Sequence, residues 1–254
     1  TINTLPNIPV SGGDKNYCAG ETIPTLAVFI DNLISINWYS LASGGDLLAS
    51  NTNNYAPTAS GTYYAEAVNS STGCISASRT AVTLTKYNAP TMLPPTQTIC
   101  SGATAAEITI ATAATWSSNI LGFGDTGTTI NAGILTNKGT QPYTVIVTAI
   151  TAAGCEETAS ITVNPEPLIS APTKFIICDN GAVDFTINSF SPGTAINWEL
   201  TENGPPITII ESGSGTDTIS INKTGLASGN YTYTITGTKD GCTSSSLTIQ
   251  VVVN

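Results

Sequence analysis

One pattern recurs three times and consumes every cysteine and tryptophan in the chain: Cys, then Trp, then a Gly-x-Tyr strand start, then Gly-Cys. The first copy is Cys18, Trp38, Gly61-Thr62-Tyr63-Tyr64 and Gly73-Cys74. The second is Cys100, Trp116, Gly139-Thr140-Gln141-Pro142-Tyr143 and Gly154-Cys155. The third is Cys178, Trp198, Gly229-Asn230-Tyr231 and Gly241-Cys242. A chain of 254 residues could be one large domain, but this triplication predicts three units of about 85 residues, each large enough for a two-sheet core.

Strand signals dominate. Residues 62–68, 143–150 and 231–236 mix aromatic, β-branched and small residues with a period near two. Each is followed by a turn ending in Gly-Cys and then by a last strand, at 79–85, 158–163 and 246–253, so every unit closes with a β-hairpin. No window carries a sustained 3.6-residue apolar period with caps, so no helix longer than a turn or two is expected. Short strands with Gly, Asn and Pro turns between them predict an all-β sandwich or barrel. Tyr87-Asn88-Ala89-Pro90 and Asn164-Pro165-Glu166-Pro167 read as stiff linkers, because Pro fixes φ. The units are then 1–88, 89–164 and 165–254, arranged as three tandem β-sandwich modules in an elongated, semi-rigid array of roughly 100–120 Å, at a strand rise of about 3.3 Å per residue.

Six cysteines allow fifteen pairings. The repeat favours one per unit: Cys18–Cys74, Cys100–Cys155 and Cys178–Cys242. Each would close a loop of about 55–65 residues, for which chain entropy gives about 4 kcal/mol. Free buried thiols are the competing reading, and bridges between units would sink the scheme of three modules. Trp38, Trp116 and Trp198, with Tyr64, Tyr143 and Tyr233, read as the core signature. In antibody domains a Tyr lies two residues before the second Cys. Here the intervals from Tyr64, Tyr143 and Tyr233 are 10, 12 and 9, and the second Cys follows a turn. The bridge is therefore expected at an end or edge of the sandwich. The alternative for the tryptophans is an exposed sugar-stacking platform.

Unit one resembles the Ig-like repeats of giant surface-displayed proteins of Bacteroidota. The likeness rests on Asn16-Tyr17-Cys18-Ala19-Gly20-Glu21, Asn37-Trp38-Tyr39-Ser40, Gly44-Gly45-Asp46-Leu47-Leu48, Gly61-Thr62-Tyr63-Tyr64-Ala65, Gly73-Cys74-Ile75-Ser76 and Arg79-Thr80-Ala81-Val82. Unit two is similar to the PKD-like repeats found beside them, through Phe123-Gly124-Asp125 and Tyr143-Thr144-Val145-Ile146-Val147-Thr148-Ala149, although Trp116 lies seven residues before Phe123 rather than adjacent. Unit three resembles unit two more weakly. The resemblance implies the repeat region of a cell-surface adhesin of the SprB gliding-motility type, exported by the type IX system and acting as stalk and adhesive surface.

Composition narrows the remaining classes. Charged residues make up 9 % of the chain, with 17 acidic against 7 basic and a net charge of −10, which disfavours nucleic acid and anionic membranes as partners. There is no histidine, hence no Ser-His-Asp catalysis and no imidazole metal ligand. No apolar run is long enough to span a bilayer. Paired cysteines and the absence of an initiator Met suggest an excised piece of an exported protein, located extracellularly at the cell surface. Gly122-x-Gly124-x-x-Gly127 lacks the strand and helix of a dinucleotide site and reads as a turn that recurs in unit three. Asp125-Thr126-Gly127 occurs once, and an aspartic protease needs two such carboxylates. Glu156-Glu157 is the closest acidic cluster, short of a calcium loop. No catalytic, cofactor or metal residues are assigned. The expected partners are neighbouring repeats of the same chain, with surface polysaccharide as a candidate, and the fragment is expected to be monomeric. The second functional reading is ancillary carbohydrate-binding modules of a secreted polysaccharide-degrading enzyme, which would need two or three exposed aromatics in line on one face.

Overall fold

The computed structural model describes residues 3–31, 34–122, 126–178, 181–204 and 206–254, and among these it contains strands and no helix. The first module holds β1 (Val10–Ser11), β2 (Lys15–Cys18), β3 (Leu26–Phe29), β4 (Ile34–Tyr39), β5 (Leu47–Ala49), β6 (Asn54–Tyr55), β7 (Gly61–Asn69) and β8 (Thr80–Tyr87). The second holds β9 (Thr96–Cys100), β10 (Ile108–Ser118), β11 (Thr126–Ile130), β12 (Tyr143–Thr151) and β13 (Glu156–Asn164). The third holds β14 (Ile169–Ser170), β15 (Lys174–Ile177), β16 (Val183–Ser189), β17 (Ala195–Glu202), β18 (Thr208–Thr216), β19 (Thr218–Lys223), β20 (Gly229–Lys239), β21 (Cys242–Thr243) and β22 (Leu247–Val253).

In the first module a sheet β1-β3-β6 faces a sheet β2-β8-β7-β4-β5; in the third, β14-β16-β19 faces β15-β22-β20-β17-β18, with β21 on β20. The second module is a sheet β11-β10-β12-β13-β9 whose long β10 shifts register against β11 between Thr109 and Ala114. That irregularity lets the first half of β10 leave the line of the second, as strands do when they turn a sandwich corner. The expected closing hairpins are β7–β8, β12–β13 and β20–β22. Every strand pairing among the described residues stays within one module, and three separate apolar clusters lie at 17–84, 92–163 and 183–253.

One shared pairing decides where the cysteines lie. The short strand leading to the first cysteine of each module runs parallel to that module's last strand: β2 to β8, β9 to β13, β15 to β22. Cys18 sits opposite Tyr87 and Cys100 opposite Asn164, while Ile177, just before Cys178, sits opposite Val253. All three first cysteines therefore lie where the last strand ends. The Gly-Cys hairpin cysteines lie where that strand begins. A strand of seven to nine residues separates the two poles by more than about 20 Å, and a disulfide tolerates a Cα separation of only about 7 Å. The expected pairings Cys18–Cys74, Cys100–Cys155 and Cys178–Cys242 are thus geometrically closed to the folded modules. The structure pairs Cys18 with Cys155 and Cys100 with Cys242, each bond joining one module to the next, and leaves Cys74 and Cys178 as thiols. The expectation that bridges between units rule out three modules is wrong: the bridges join units that keep separate strand pairings and separate apolar clusters, so it is the one-disulfide-per-module scheme that falls.

One further expectation changes. The glycines of the Gly-rich centres lie in strands and not in a turn: Gly127 of unit two belongs to β11, and Gly213 and Gly215 of unit three belong to β18. Gly213 pairs with Trp198 across the sheet, and a Cβ there would sit 2.8 Å from the indole ring, so glycine makes room for the ring. Phe123-Gly124-Asp125, with the Asp of the Asp-Thr-Gly triplet, lies outside the described residues.

Candidate functional site: the module junctions

The two turns that carry the cysteines are built the same way in each copy. After Cys18 the amide of Glu21 returns to the Cys18 carbonyl at 3.0 Å, and Gly20 takes a φ of +93°. After Cys100 the amide of Ala103 returns to the Cys100 carbonyl at 3.0 Å, with Gly102 at +81°. The amides of Ala19 and Ser101 donate to the carbonyls of Tyr87 and Asn164, tying each turn to the end of the last strand. In the third module the Gly181 amide donates to the Cys178 carbonyl at 2.8 Å.

The hairpin side is as regular. Gly73, Gly154 and Gly241, each just before the second cysteine, have φ of +73°, +83° and +78°. A Cβ is disfavoured there, which explains the repeated Gly-Cys pair. Cys155 closes its hairpin by receiving the Thr151 amide at 2.9 Å, Cys74 receives that of Asn69 at 2.9 Å, and Cys242 pairs with Lys239. Asp240 and Gly241 form a two-residue loop with both φ positive, as in a type I′ turn.

The end of one module therefore presents a Cys-x-Gly turn and the start of the next presents a Gly-Cys hairpin. A cystine joins them at both junctions. Asn16 Nδ2 reaches the Ala153 carbonyl at 3.5 Å, and Asn164 Nδ2 reaches the Asp240 carbonyl at 3.3 Å. Both carbonyls belong to the residue two before the hairpin cysteine, so each junction has an amide clasp beside its cystine. Burial follows: Cys155 is 0 % and Cys242 1 % exposed. A cleft of about 520 Å³ at the first junction is lined by uncharged residues, among them Asn16, Tyr87, Pro90, Thr112 and Ala153. Among the described residues there is no cluster of three or more acidic or cysteine side chains suited to a metal ion.

The signature aromatics point inward. Trp38 and Trp116 are buried and donate their indole N–H to the carbonyls of Thr52 (3.0 Å) and Gly127 (3.1 Å). Trp198 is half-buried against Tyr233. Trp38 and Trp116 offer no sugar platform, whereas Trp198 lines a shallow surface pocket with Asn197, Glu199, Ser212, Gly213 and Ser214. The tyrosines divide differently from the sequence reading. Tyr63, Tyr143 and Tyr231 occupy one repeated position, and each donates its hydroxyl to a carbonyl a few residues upstream: Ala59 at 2.7 Å, Thr136 at 3.1 Å and Ala227 at 2.9 Å. This is the tyrosine-corner arrangement of immunoglobulin-type sandwiches. Tyr64 is corrected accordingly: alternation along β7 places it on the face opposite Tyr63, which packs on the core through Tyr55. Tyr233 is fully buried, its hydroxyl has no hydrogen-bond partner, and burial, aided by the charge of Glu211, pushes its pKa up to about 12. Among the described residues the exposed aromatics are Phe29 in β3, Tyr87 in β8 and Phe190 just after β16, spread over two modules.

The first module contains one further polar construction. Arg79 pairs with Glu66 at 3.1 Å, donates to the carbonyls of Leu41 (2.7 Å) and Gly44 (2.6 Å), and lies 3.4 Å over the ring of Tyr39. Both charged side chains are nearly buried. This clamps the Gly44-Gly45 loop that distinguishes the first module from the other two.

Residues 6–86 match a family model described as an Ig-like domain, CHU_C associated. The match covers the first module only. No curated protein sequence matches the chain significantly. Among solved structures, the three N-terminal domains of the bacteriophage RB49 highly immunogenic outer capsid protein align at 13 % identity and a TM-score of 0.43, covering 91 % of this chain and 93 % of that one. Titin domains A168–A170 align at 10 % identity and 0.38, covering 97 % and 99 %. Sidekick-1 immunoglobulin domains 1–5 align at 17 % and 0.32, and the chain, covered to 96 %, spans 58 % of that protein's length. The chain is an all-β tandem array of Ig-like sandwich modules.

Proposed function

We propose that residues 1–88, 89–164 and 165–254 are three modules of the non-enzymatic repeat region of an exported, surface-displayed adhesin, serving as a covalently reinforced stalk. One observation carries this reading: at both junctions a cystine at equivalent positions fixes one module to the next, and a side-chain amide, from a different strand in each case, reaches the same hairpin carbonyl beside it. An enzyme gains little from repeating such a joint. A stalk gains stiffness, because each junction is held by a backbone linker on one side and a disulfide on the other, which restricts bending. Cystines of this kind persist in oxidising surroundings outside the cytoplasm. The Ig-like match of residues 6–86 agrees with a repeat module.

Antibodies raised against the chain test the reading on intact cells of the source organism. Surface labelling, together with reduced attachment or surface movement in the presence of the antibody, is the expected result. Labelling that appears only after permeabilisation would refute it.

A further inference from the structure

The junction chemistry has two open ends. Cys178 stands where Cys18 and Cys100 stand: after the strand parallel to the last strand, at the pole where the module ends, its carbonyl receiving the amide of Gly181. Cys74 stands where Cys155 and Cys242 stand: in the closing hairpin, after a glycine of positive φ, at the pole where the module begins. Cys178 is exposed and Cys74 half-buried, both as thiols; of the bonded cysteines Cys18, Cys155 and Cys242 are 7 %, 0 % and 1 % exposed, and Cys100 is half-buried like Cys74. Within this chain the same pair of positions is bonded twice, so the chain itself supplies the internal precedent for the pairing.

We propose that Cys178 and Cys74 are complementary bonding ends: Cys178 forms a disulfide with the Gly-Cys hairpin of another module of this kind, and Cys74 with the Cys-x-Gly turn of another. For this chain the available partner is a second copy, joined head to tail through Cys178 of one copy and Cys74 of the next. The contact is heterologous, so it extends into an open filament instead of closing into a symmetric dimer. The same bond forms in cis where a further module follows on one polypeptide, favoured there by the high effective concentration a short linker provides. The chemistry is thiol–disulfide exchange with a small-molecule disulfide. The two thiols lose two protons and two electrons and form one S–S bond, while one oxidised glutathione takes up both and becomes two molecules of glutathione. The inference rests on the equivalence of the junctions and not on the adhesin reading, so either can fail alone.

The test incubates the purified chain in an oxidised/reduced glutathione buffer and resolves it on non-reducing gels, with disulfides mapped by mass spectrometry. The expected result is a ladder of oligomers whose new cross-link is Cys74–Cys178, with Cys18–Cys155 and Cys100–Cys242 retained as proof of fold. Cys74→Ser alone and Cys178→Ser alone each lose the ladder, and mixing the two variants restores a dimer. A tandem fusion of two copies forms the same bond within a monomer, which separates the cis route from the trans route. Symmetric Cys178–Cys178 dimers that survive Cys74→Ser would overturn the proposal. So would thiols that end only as glutathione adducts in both the mixture and the tandem, or a Cys18–Cys74 bond in the native chain.

Discussion

Pulling the oxidised chain from its two ends measures the pairing directly. With both cystines intact, tension follows the shortest covalent route: residues 1–18, across to Cys155, back along the chain to Cys100, across to Cys242, and out to 254. That route holds about 87 residues, so complete unfolding extends the chain to roughly 300 Å at about 3.4 Å per residue. Full reduction releases all 254 residues, roughly 860 Å. Cys155→Ser opens only the first junction and gives a route of about 113 residues, roughly 380 Å. Cys74→Ser should change nothing, because Cys74 carries no bond within the chain. Bridges within modules would give almost the same oxidised length, but Cys74→Ser would then lengthen the route by about 55 residues, roughly 190 Å. Optical-tweezer traces with handles at both termini, with and without reductant, resolve such differences. A Cys74→Ser chain that extends by that extra length would refute the junction pairing and the pole argument behind it.

The remaining expectations concern the modules. Arg79→Ala leaves Glu66 buried without a partner and frees the 41–46 loop, at a cost of about 3 kcal/mol in chemical denaturation, and Arg79→Lys restores little because an ammonium cannot make the same fork of contacts. Tyr63→Phe and Tyr231→Phe each remove a hydroxyl-to-carbonyl bond and lose about 1 kcal/mol, whereas Tyr233→Phe, which removes a buried hydroxyl with no partner, costs nothing or stabilises. Tyr233 has a folded pKa raised above the ordinary value of 10, so its contribution to stability is complete below pH 10 and is lost as pH rises toward about 12; pH-dependent unfolding of Tyr233→Phe should lack that part of the alkaline decline. Gly154→Ala, at a φ of +83°, strains the hairpin that presents Cys155, so refolding should yield less of the Cys18–Cys155 bond on peptide mapping.

Much of the fold is legible in the residues. The period-two stretches at 62–68, 143–150 and 231–236, the Gly-Cys turns after them and the absence of helical periodicity lead to β7–β8, β12–β13 and β20–β22 and to the inward tryptophans. These are local signals, carried by side-chain alternation and by turn glycines that need a left-handed φ. Face assignment is harder: Tyr63 and Tyr64 are neighbours of equal character, and only the strand's register puts Tyr63 on the core. Gly213 looks like a turn residue because the ring it accommodates is fifteen positions away on another strand.

The junctions are where sequence and structure part. The sequence by itself determined that six cysteines occur as two recurring kinds, one before a Cys-x-Gly or related turn and one after a left-handed glycine. It could not say which kind meets which. That was decided by the parallel pairing of β2, β9 and β15 with the last strand of each module, a contact between segments about 65–75 residues apart that leaves no periodic trace. This pairing sets the two cysteines of one module at opposite ends of a strand, and the short linker brings the end of one module against the start of the next. Repeat symmetry pairs cysteines within a unit; the length of a strand forbids it, and the bond forms across the junction instead.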